Sequence, residues 1–449
     1  MPGKTREGRG VARRLTVLGT GYLGATHAAC LASLGFEVLG LDSDPAVIAA
    51  LAAGDLPFYD PGLGELLERG LRSGRLRFTT SYAEAADFGD VHFVCVGTPQ
   101  RADSAGADLS QLMSCIEALA PRLERPCLIA GKSTIPVGTA ARLAGRVAEL
   151  APAGTRVQLA WNPEFLREGF AVADTLRPER IVVGVRSAEA EAILREVYAE
   201  PIAAGVPFLV TGYETAELVK IAANAFLATK ISFINAMAEV CEAAGADVTE
   251  LAGALACDHR IGPASLRPGL GFGGGCLPKD IRAFMTRAAE LGVSDSVSFL
   301  REVDAINGRR RSRMVGLAQE LAGGSLAGRR VGVLGLAFKP DSDDIRDSPA
   351  LAVATAVHAR GARVTAYDPV AMDRARRAHP ELGYAGSMLG AAAEAEVLLL
   401  LTDWPEFSQA DPDVVGKAVA RRAIADGRNA LPAAAWRAAG WTYRALGRP

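Results

Sequence analysis

The chain has 449 residues, of which 49% are hydrophobic and 22% charged, and its formal net charge is -2. That length holds two or three ordinary domains with a sizeable core, and the near-neutral balance excludes the electrostatic footprint of a nucleic-acid binder. Seven cysteines, at 30, 95, 115, 127, 241, 257 and 276, include no Cys-x-x-Cys pair. The odd number and scattered spacing argue against a disulfide framework or a zinc site and suit a reducing compartment. The five histidines lack metal-ligand spacing, so no metal is expected. Basic residues cluster from Lys4 to Arg14, read as a flexible tail over 1–13, and from Arg309 to Arg313, read as a solvated helix face. No apolar segment reads as long enough to cross a bilayer, and a cytoplasmic location without membrane contact is expected.

Leu15 to Leu18 form a buried-strand pattern, followed by a glycine loop and a helical stretch from Tyr22 to Leu34 that Gly35 ends. Basic residues ahead of an apolar run imitate a signal peptide, but the run continues into a second strand, Phe36 to Asp42, and so into a strand–turn–helix–strand unit. Further strands are expected at Val91 to Val96, Cys127 to Ala130, Val157 to Ala160 and Arg180 to Gly184, with helices between them. That alternation predicts a doubly wound parallel sheet.

The pattern changes near Tyr213. Glu214 to Ala244 contains no Pro or Gly and repeats apolar residues at helical spacing: Leu218, Ile221, Ala225, Ala228, Ile231, Ile234 and Met237. A helix of that length, roughly 45 Å, is expected to connect two domains and to carry a dimer interface. Gly323-Gly324-Ser325 reads as a linker. A second α/β pattern then opens at Arg330 to Gly335, with a helix at Ala350 to Arg360 and strands at Arg363 to Tyr367, Val397 to Leu401 and Ala423 to Asp426. The expected fold class is α/β, two Rossmann-like doubly wound domains joined by a long central helix and a helical dimerisation region. The expected bounds are 14–210 for dinucleotide binding, 211–322 for the helical region and 326–449 for the second α/β domain.

Gly19, Gly21 and Gly24 match a dinucleotide fingerprint, because they follow a strand, open a helix and precede Asp42 at the next strand end. The first two would let the backbone turn against a pyrophosphate that the helix N-terminus faces. Asp42 would take the adenosine ribose hydroxyls and repel a 2′-phosphate, which favours NAD over NADP. Thr98-Pro99 and Thr134 lie at two more strand ends, on the side where ligands bind; helix capping is the plainer use of either threonine. Cys276 lies in Gly271-Phe272-Gly273-Gly274-Gly275-Cys276-Leu277-Pro278-Lys279-Asp280, close to a helix start that would favour thiolate. The other six cysteines read as structural. Lys220 and Asn224 stand four apart on one face of the long helix, placed to donate to an oxyanion unless Lys220 is merely solvated. Asn162 to Gly169 offers Glu164 and Glu168 for water activation or hydroxyl contacts, or for an ordinary salt-bridged turn.

These blocks resemble the UDP-glucose 6-dehydrogenases, within the wider UDP-glucose/GDP-mannose dehydrogenase family. The resemblance is carried by residues 19–24, Val96 to Pro99, Lys132 to Thr139, Asn162 to Gly169, Glu217 to Asn224, 271–280 and Gly335 to Pro349. It covers nearly the whole chain. It implies a four-electron oxidation in which UDP-glucose, two NAD and water give UDP-glucuronate and two NADH. Carried over, Cys276 is the nucleophile, through a thiohemiacetal and a thioester, and Lys220 and Asn224 stabilise the oxyanions. Asp280 works with a bound water, and Thr134 and Glu164 position substrate and water. Tyr22, Leu23, Thr98, Pro99, Thr134, Glu168, Lys279 and Arg346 join the NAD contacts. Phe165, Leu166, Phe272, Gly273, Gly274, Phe338, Lys339 and Arg428 join the nucleotide-sugar contacts, and Arg260 reaches into a partner subunit's site. The chain departs from the common pattern at Gly275, where serine is frequent, at Leu277, where phenylalanine is frequent, and at Asp60, where glutamate is frequent. Alternatives are the same reaction on a UDP-N-acetylhexosamine or GDP-mannose, a two-electron hydroxyacid-type dehydrogenase, and a non-catalytic nucleotide-sugar sensor.

Overall fold

The computed structural model describes residues 13–449, so of the expected basic tail only Arg13 is included. The chain divides into two compact units, one ending at Ala222 and the other starting at Ala223.

The first unit is built on an eight-stranded sheet. Its strands are β1 (Arg14–Leu18), β2 (Glu37–Leu41), β3 (Leu76–Thr79), β4 (Val91–Val94), β5 (Cys127–Gly131), β6 (Val157–Trp161), β7 (Ile181–Gly184) and β8 (Phe208–Thr211). They lie in the order β3-β2-β1-β4-β5-β6-β7-β8. Alternate residues feed opposite faces. Leu15 and Val17 join the core under helices Tyr22–Ser33 and Leu63–Arg72, while Leu18 and Val94 join the core under helices Ser110–Leu119 and Thr139–Leu150. Burial on both faces is why β5 reads as an apolar run and β4 as one broken only by His92. The sheet is not wholly parallel as expected: β7 meets β6 antiparallel, at Trp161 and Gly184. An antiparallel neighbour needs no crossover back to the starting edge. The connection from Asn162 to Arg180 therefore stays at one end of the sheet, with a single short helix, Ala171–Leu176.

The long helix, Tyr213–Ala244, has 32 residues. Tyr213 and Ala216 pack into the first unit's core, and Ile234, Ala238 and Cys241 into a core of the second. By length and composition this helix does suffice for a membrane span, contrary to the sequence expectation; 44% of its most apolar stretch is buried within the protein. Glu217, Lys220, Asn224 and Asn235 are buried along it, as suits a core helix with polar tasks.

The second unit continues with helices Val248–Ala256, Leu277–Glu290 and Phe299–Leu321. A wholly parallel six-stranded sheet follows: β9 (Arg330–Leu334), β10 (Arg363–Tyr367), β11 (Gly383–Tyr384), β12 (Val397–Leu400), β13 (Ala423–Asp426) and β14 (Thr442–Ala445), in the order β11-β10-β9-β12-β13-β14. The expected solvated face at Arg309 to Arg313 is corrected here. Arg310 is fully buried, 3.6 Å from Glu242 and 3.8 Å from Glu239. It falls in the core-facing series Leu300, Val303, Asn307, Arg310, Met314, Leu317 and Leu321, all buried at steps of three and four.

Candidate active site

In the first unit, the residues expected to bind the dinucleotide lie where the strands end. Gly19 turns at φ +85°, and a Cβ there would lie 2.9 Å from the Val96 backbone. A Cβ on Gly24 would lie 1.8 Å from the Gly19 carbonyl oxygen, so the helix packs onto the turn only with glycine. Gly21, the N-cap of helix Tyr22–Ser33, has nothing within 4 Å of a built Cβ, and no acidic residue occupies the first turn. The loop thus leaves open the one face from which a pyrophosphate would meet the helix N-terminus. Asp42, just past β2, is half-buried and accepts the Thr20 amide at 2.8 Å and the Asp44 amide at 3.1 Å. Leu23 packs on the core beneath. These groups fit a dinucleotide's pyrophosphate and adenosine ribose.

Thr98 is buried and donates to the Thr134 carbonyl at 2.8 Å, and Ser133 donates to the Val96 carbonyl at 2.6 Å. The loops after β4 and β5 are thereby tied together, with Pro99 exposed and Thr134 half-buried. After β6, the Glu164 carboxylate accepts the Leu166 amide at 2.7 Å and pairs with Lys220 at 3.2 Å. Both side chains are shielded, at 14% and 6% exposed, and the ammonium lies 5.5 Å from the Phe165 ring centre. Lys220 is therefore no solvated helix lysine. Glu217, one turn earlier, accepts the amides of Gly138 at 2.7 Å and Ala140 at 2.6 Å. It caps helix Thr139–Leu150 from outside, with its carboxyl raised by burial.

Sequence reasoning did not foresee two supports of this region. Tyr22 donates to buried Asp60, which also accepts the Gly169 amide at 2.9 Å, so the phosphate-loop helix is tied to the end of the Glu164–Glu168 segment. Burial, then the Asp60 carboxylate, raises the Tyr22 hydroxyl. Lys132 is buried, with its ammonium on Asn162 Oδ1 at 3.1 Å and the Tyr198 hydroxyl at 3.4 Å. Its place in the Lys132 to Thr139 block was the available signal.

In the second unit, Cys276 is the N-cap of helix Leu277–Glu290, and its thiol is exposed. One turn on, Asp280 is 2% exposed and accepts the Asn224 carboxamide at 2.6 Å, while its other oxygen meets Lys279 at 2.6 Å. A thiol at a helix start, a buried carboxylate and a carboxamide donor are thus assembled on two helices. Of the remaining cysteines, Cys30, Cys95 and Cys115 are pushed up to about 12 and Cys127 to about 11, all chiefly by burial. Cys257, expected among the buried ones, is exposed instead, at the end of helix Val248–Ala256, with its sulfur 3.4 Å from the Gly253 carbonyl.

The glycines before Cys276 are close-packed. A Cβ on Gly274 would lie 2.9 Å from the Phe338 ring, and one on Gly273 2.5 Å from the Asp347 carbonyl oxygen. One on Gly275 would lie 2.4 Å from the Arg346 guanidinium, which is held by Asp344 at 2.7 Å. The Lys339 ammonium lies 5.5 Å from the Phe338 ring centre. Arg428 sends its guanidinium to the main-chain carbonyls of Leu401 at 2.7 Å, Phe338 at 2.9 Å and Gly271 at 3.3 Å. It holds the loops that bear the other expected contacts. Arg260 is not gathered with them: it is 79% exposed and pairs with Asp258.

Comparison with known proteins gives a consistent picture. Three family models of the UDP-glucose/GDP-mannose dehydrogenases match in order: the NAD binding domain over 13–202, the central domain over 214–309 and the UDP binding domain over 332–433. A UDP-glucose 6-dehydrogenase of Rhizobium meliloti is 39% identical, covering 97% of this chain and 100% of its own. The UDP-glucose dehydrogenase structure from Pyrobaculum islandicum superposes with a TM-score of 0.90 at 37% identity, covering 100% of both chains. A UDP-D-ManNAc dehydrogenase structure from Pyrococcus horikoshii gives 0.84 at 28% identity, covering 97% of this chain and 99% of that one.

Proposed function

The chain belongs to the UDP-glucose/GDP-mannose dehydrogenase family, and from that membership we propose that it oxidises C6 of UDP-glucose from alcohol to carboxylate. It is an oxidoreductase, and NAD is its cofactor. Gly19, Gly21, Gly24 and Asp42 would hold NAD, with Thr98, Pro99, Thr134 and Glu168 beside it, and NAD there supplies the acceptor for a hydride at each of two oxidations. The observation that carries the reading is the exposed Cys276 thiol at a helix start, one turn from the Asn224–Asp280–Lys279 cluster.

The first oxidation leaves an aldehyde that water or an amine could intercept. Attack by the Cys276 thiolate forms a C–S bond and keeps the carbon on the protein as a thiohemiacetal. Loss of the remaining C6 hydrogen as hydride leaves a thioester. A water then adds, the C–S bond breaks, and the carboxylate and thiol are released. The tetrahedral states carry an alkoxide, for which Lys220 and Asn224 are the donors. Asp280, acceptor to Asn224 and neighbour to Lys279, serves the attacking water as proton acceptor, and Glu164 and Thr134 position substrate and water.

The family's UDP binding domain covers the second sheet. Phe338, Lys339 and the loop from Phe272 to Gly274 would take the nucleotide sugar, with Arg428 acting through the loops it holds. The bounds 14–210, 211–322 and 326–449 remain the division of labour within this reading. A homodimer is supported by an apolar stripe on the long helix, with Leu218, Phe226, Phe233 and Val240 exposed at 40%, 67%, 49% and 57%. Arg260, exposed at the surface beside Asp258, would reach the partner's site. The cytoplasmic, membrane-free location is supported by the need to keep Cys276 a thiol.

The resemblance to a UDP-D-ManNAc dehydrogenase favours, as second reading, the same chemistry on a UDP-N-acetylhexosamine. Limiting UDP-glucose with excess NAD decides between them. Two NADH per sugar are expected. One NADH would end the thioester scheme, and none, with turnover of a UDP-N-acetylhexosamine, would establish the second reading.

A further inference from the structure

The segment leading to Cys276 is gripped by its backbone as well as by the buried side chains of Leu270 and Phe272. The Pro268 carbonyl accepts from Asn429 at 3.4 Å, the Gly269 amide donates to Asn235 at 2.9 Å, and the Gly269 carbonyl faces Arg310 Nε at 3.5 Å. The strongest hold is on Phe272. Asn307 accepts the Phe272 amide at 2.8 Å through Oδ1 and donates to the Phe272 carbonyl at 3.0 Å through Nδ2. One buried carboxamide therefore satisfies both polar groups of one residue, as a neighbouring strand would. Gly271 has φ +92°, and any Cβ there would lie 2.0 Å from Asn307 Oδ1, so the glycine is what lets the carboxamide approach.

Only three residues separate this grip from the nucleophile, and all are glycine: Gly273, Gly274 and Gly275. Such a run has more freedom to lose than any other. Its far end is fixed by helix Leu277–Glu290, and its middle by the Gly274 amide on the Arg346 carbonyl at 2.9 Å. Its near end is held at Phe272, with Arg428 on the preceding Gly271 carbonyl at 3.3 Å. We propose that Asn307 is a positioning residue for Cys276: its two-point hold on Phe272 sets where the triglycine run begins, and so where the thiol sits. This rests on the reading of Cys276 as the nucleophile. The chemistry calls for an amide, since one atom must accept and the other donate. A carboxylate keeps the first bond and sets an oxygen against the Phe272 carbonyl.

The test is Asn307→Asp. A misplacement of about 1 Å at the reacting atom costs about a hundredfold in rate, so kcat should fall by about 30- to 100-fold while the KM for NAD is unchanged. Lowering the pH protonates the introduced carboxyl and restores a donor, so the variant should regain part of its activity relative to wild type as pH falls. A part that merely holds the fold together would move stability and leave both the kcat-against-KM split and that pH profile unmoved. Hydrogen exchange on the wild-type protein needs no variant: the Phe272 and Gly269 amides should be strongly protected. A folded N307D variant with undiminished kcat overturns the inference, as do Phe272 and Gly269 amides exchanging like open loop. A wild type that forms no NADH with any nucleotide sugar removes the nucleophile reading itself, and this inference with it.

Discussion

Replacing Lys220 by methionine keeps the stem of the side chain and deletes the charge that faces Glu164. At 3.2 Å, Coulomb's law with an effective dielectric of about 20 gives a gross attraction of about 5 kcal/mol. Side chains exposed at 6% and 14% remove this pair from the surface regime, where such bridges contribute up to about 1 kcal/mol. Stripping one partner from a buried pair costs about 3–5 kcal/mol, because the other charge stays buried without it. For a unit of this size that lowers the melting temperature by roughly 6–20 °C. Glu164→Gln strips the pair from the other side. The double variant should recover most of the stability, since neither charge is then orphaned, with a coupling of about 2 kcal/mol or more in the cycle. Activity should not recover. Loss of one oxyanion donor costs about a hundred- to a thousandfold in kcat, and Asn224 alone does not replace an ammonium. Thermal unfolding and initial rates of NADH formation on the four proteins give both cycles. Stability losses that simply add in the double variant would refute the buried-pair account, and full kcat in Lys220→Met would refute the oxyanion role.

Two glycines of the phosphate loop should separate folding from binding. Gly24→Ala places a methyl 1.8 Å from the Gly19 carbonyl oxygen and should both lower the melting temperature and abolish NAD binding. Gly21→Ala meets nothing within 4 Å, at an ordinary φ of -66°, so stability should hold while NAD affinity falls by about tenfold or more, because the methyl fills the approach of the pyrophosphate; calorimetric titration with unchanged affinity would sink the assignment. The acid limb of stability should carry Glu242. Burial alone would raise its carboxyl, but Arg313 at 2.7 Å and the Gly447 amide at 2.8 Å outweigh burial and hold it below the usual glutamate range. Its folded value lies below its unfolded one, so its contribution is complete above pH about 4.3 and is lost as pH falls through the depressed value. Denaturant unfolding against pH should be flatter on the acid side for Glu242→Gln, and identical slopes would count against this.

What the sequence concealed has a common cause. The four strands it did not announce, β3, β8, β11 and β14, are the four edges of the two sheets. A central strand is buried on both faces and reads as an apolar run; an edge strand is half-covered, and β8 and β14 leave Leu209, Val210, Thr442 and Arg444 exposed. The strand end bearing Asp42 and the helix start bearing Cys276 were legible, because glycine and proline punctuate both. Asn307 and Arg310 were not, since polar letters suggest solvent. The signal was there in the step from Val303 to Asn307 to Arg310 to Met314, which holds the core-facing period of helix Phe299–Leu321. A polar residue on an apolar period is one whose hydrogen bonds must be sought inside. The hold on backbone groups at Gly269 and Phe272 is long-range in sequence, and no local pattern encodes it.

The same fold occurs twice in the chain, and the structure gives a reason why only the first copy fits a dinucleotide. In each, a glycine with positive φ follows the first strand, Gly19 and Gly335, and an aspartate follows the next, Asp42 and Asp368. In the first copy the helix starts at Tyr22, three residues after the turn begins, and Asp42 stays half-exposed. In the second, the next helix starts only at Pro349, well past Gly335, and its N-cap Ser348 donates to the Leu336 carbonyl at 2.6 Å, in the turn itself. Asp368 is fully buried and accepts five donors: the amides of Leu336, Ala337, Val370 and Ala371, and the Trp404 indole. A carboxylate offers about four lone-pair sites, so none is left for a ribose. The aspartate left half-exposed in one copy is, in the other, the pin that fixes the loop toward Phe338 and Lys339. A single framework thereby presents two different strand-end sites, one with its carboxylate spent on its own backbone and one with it left open.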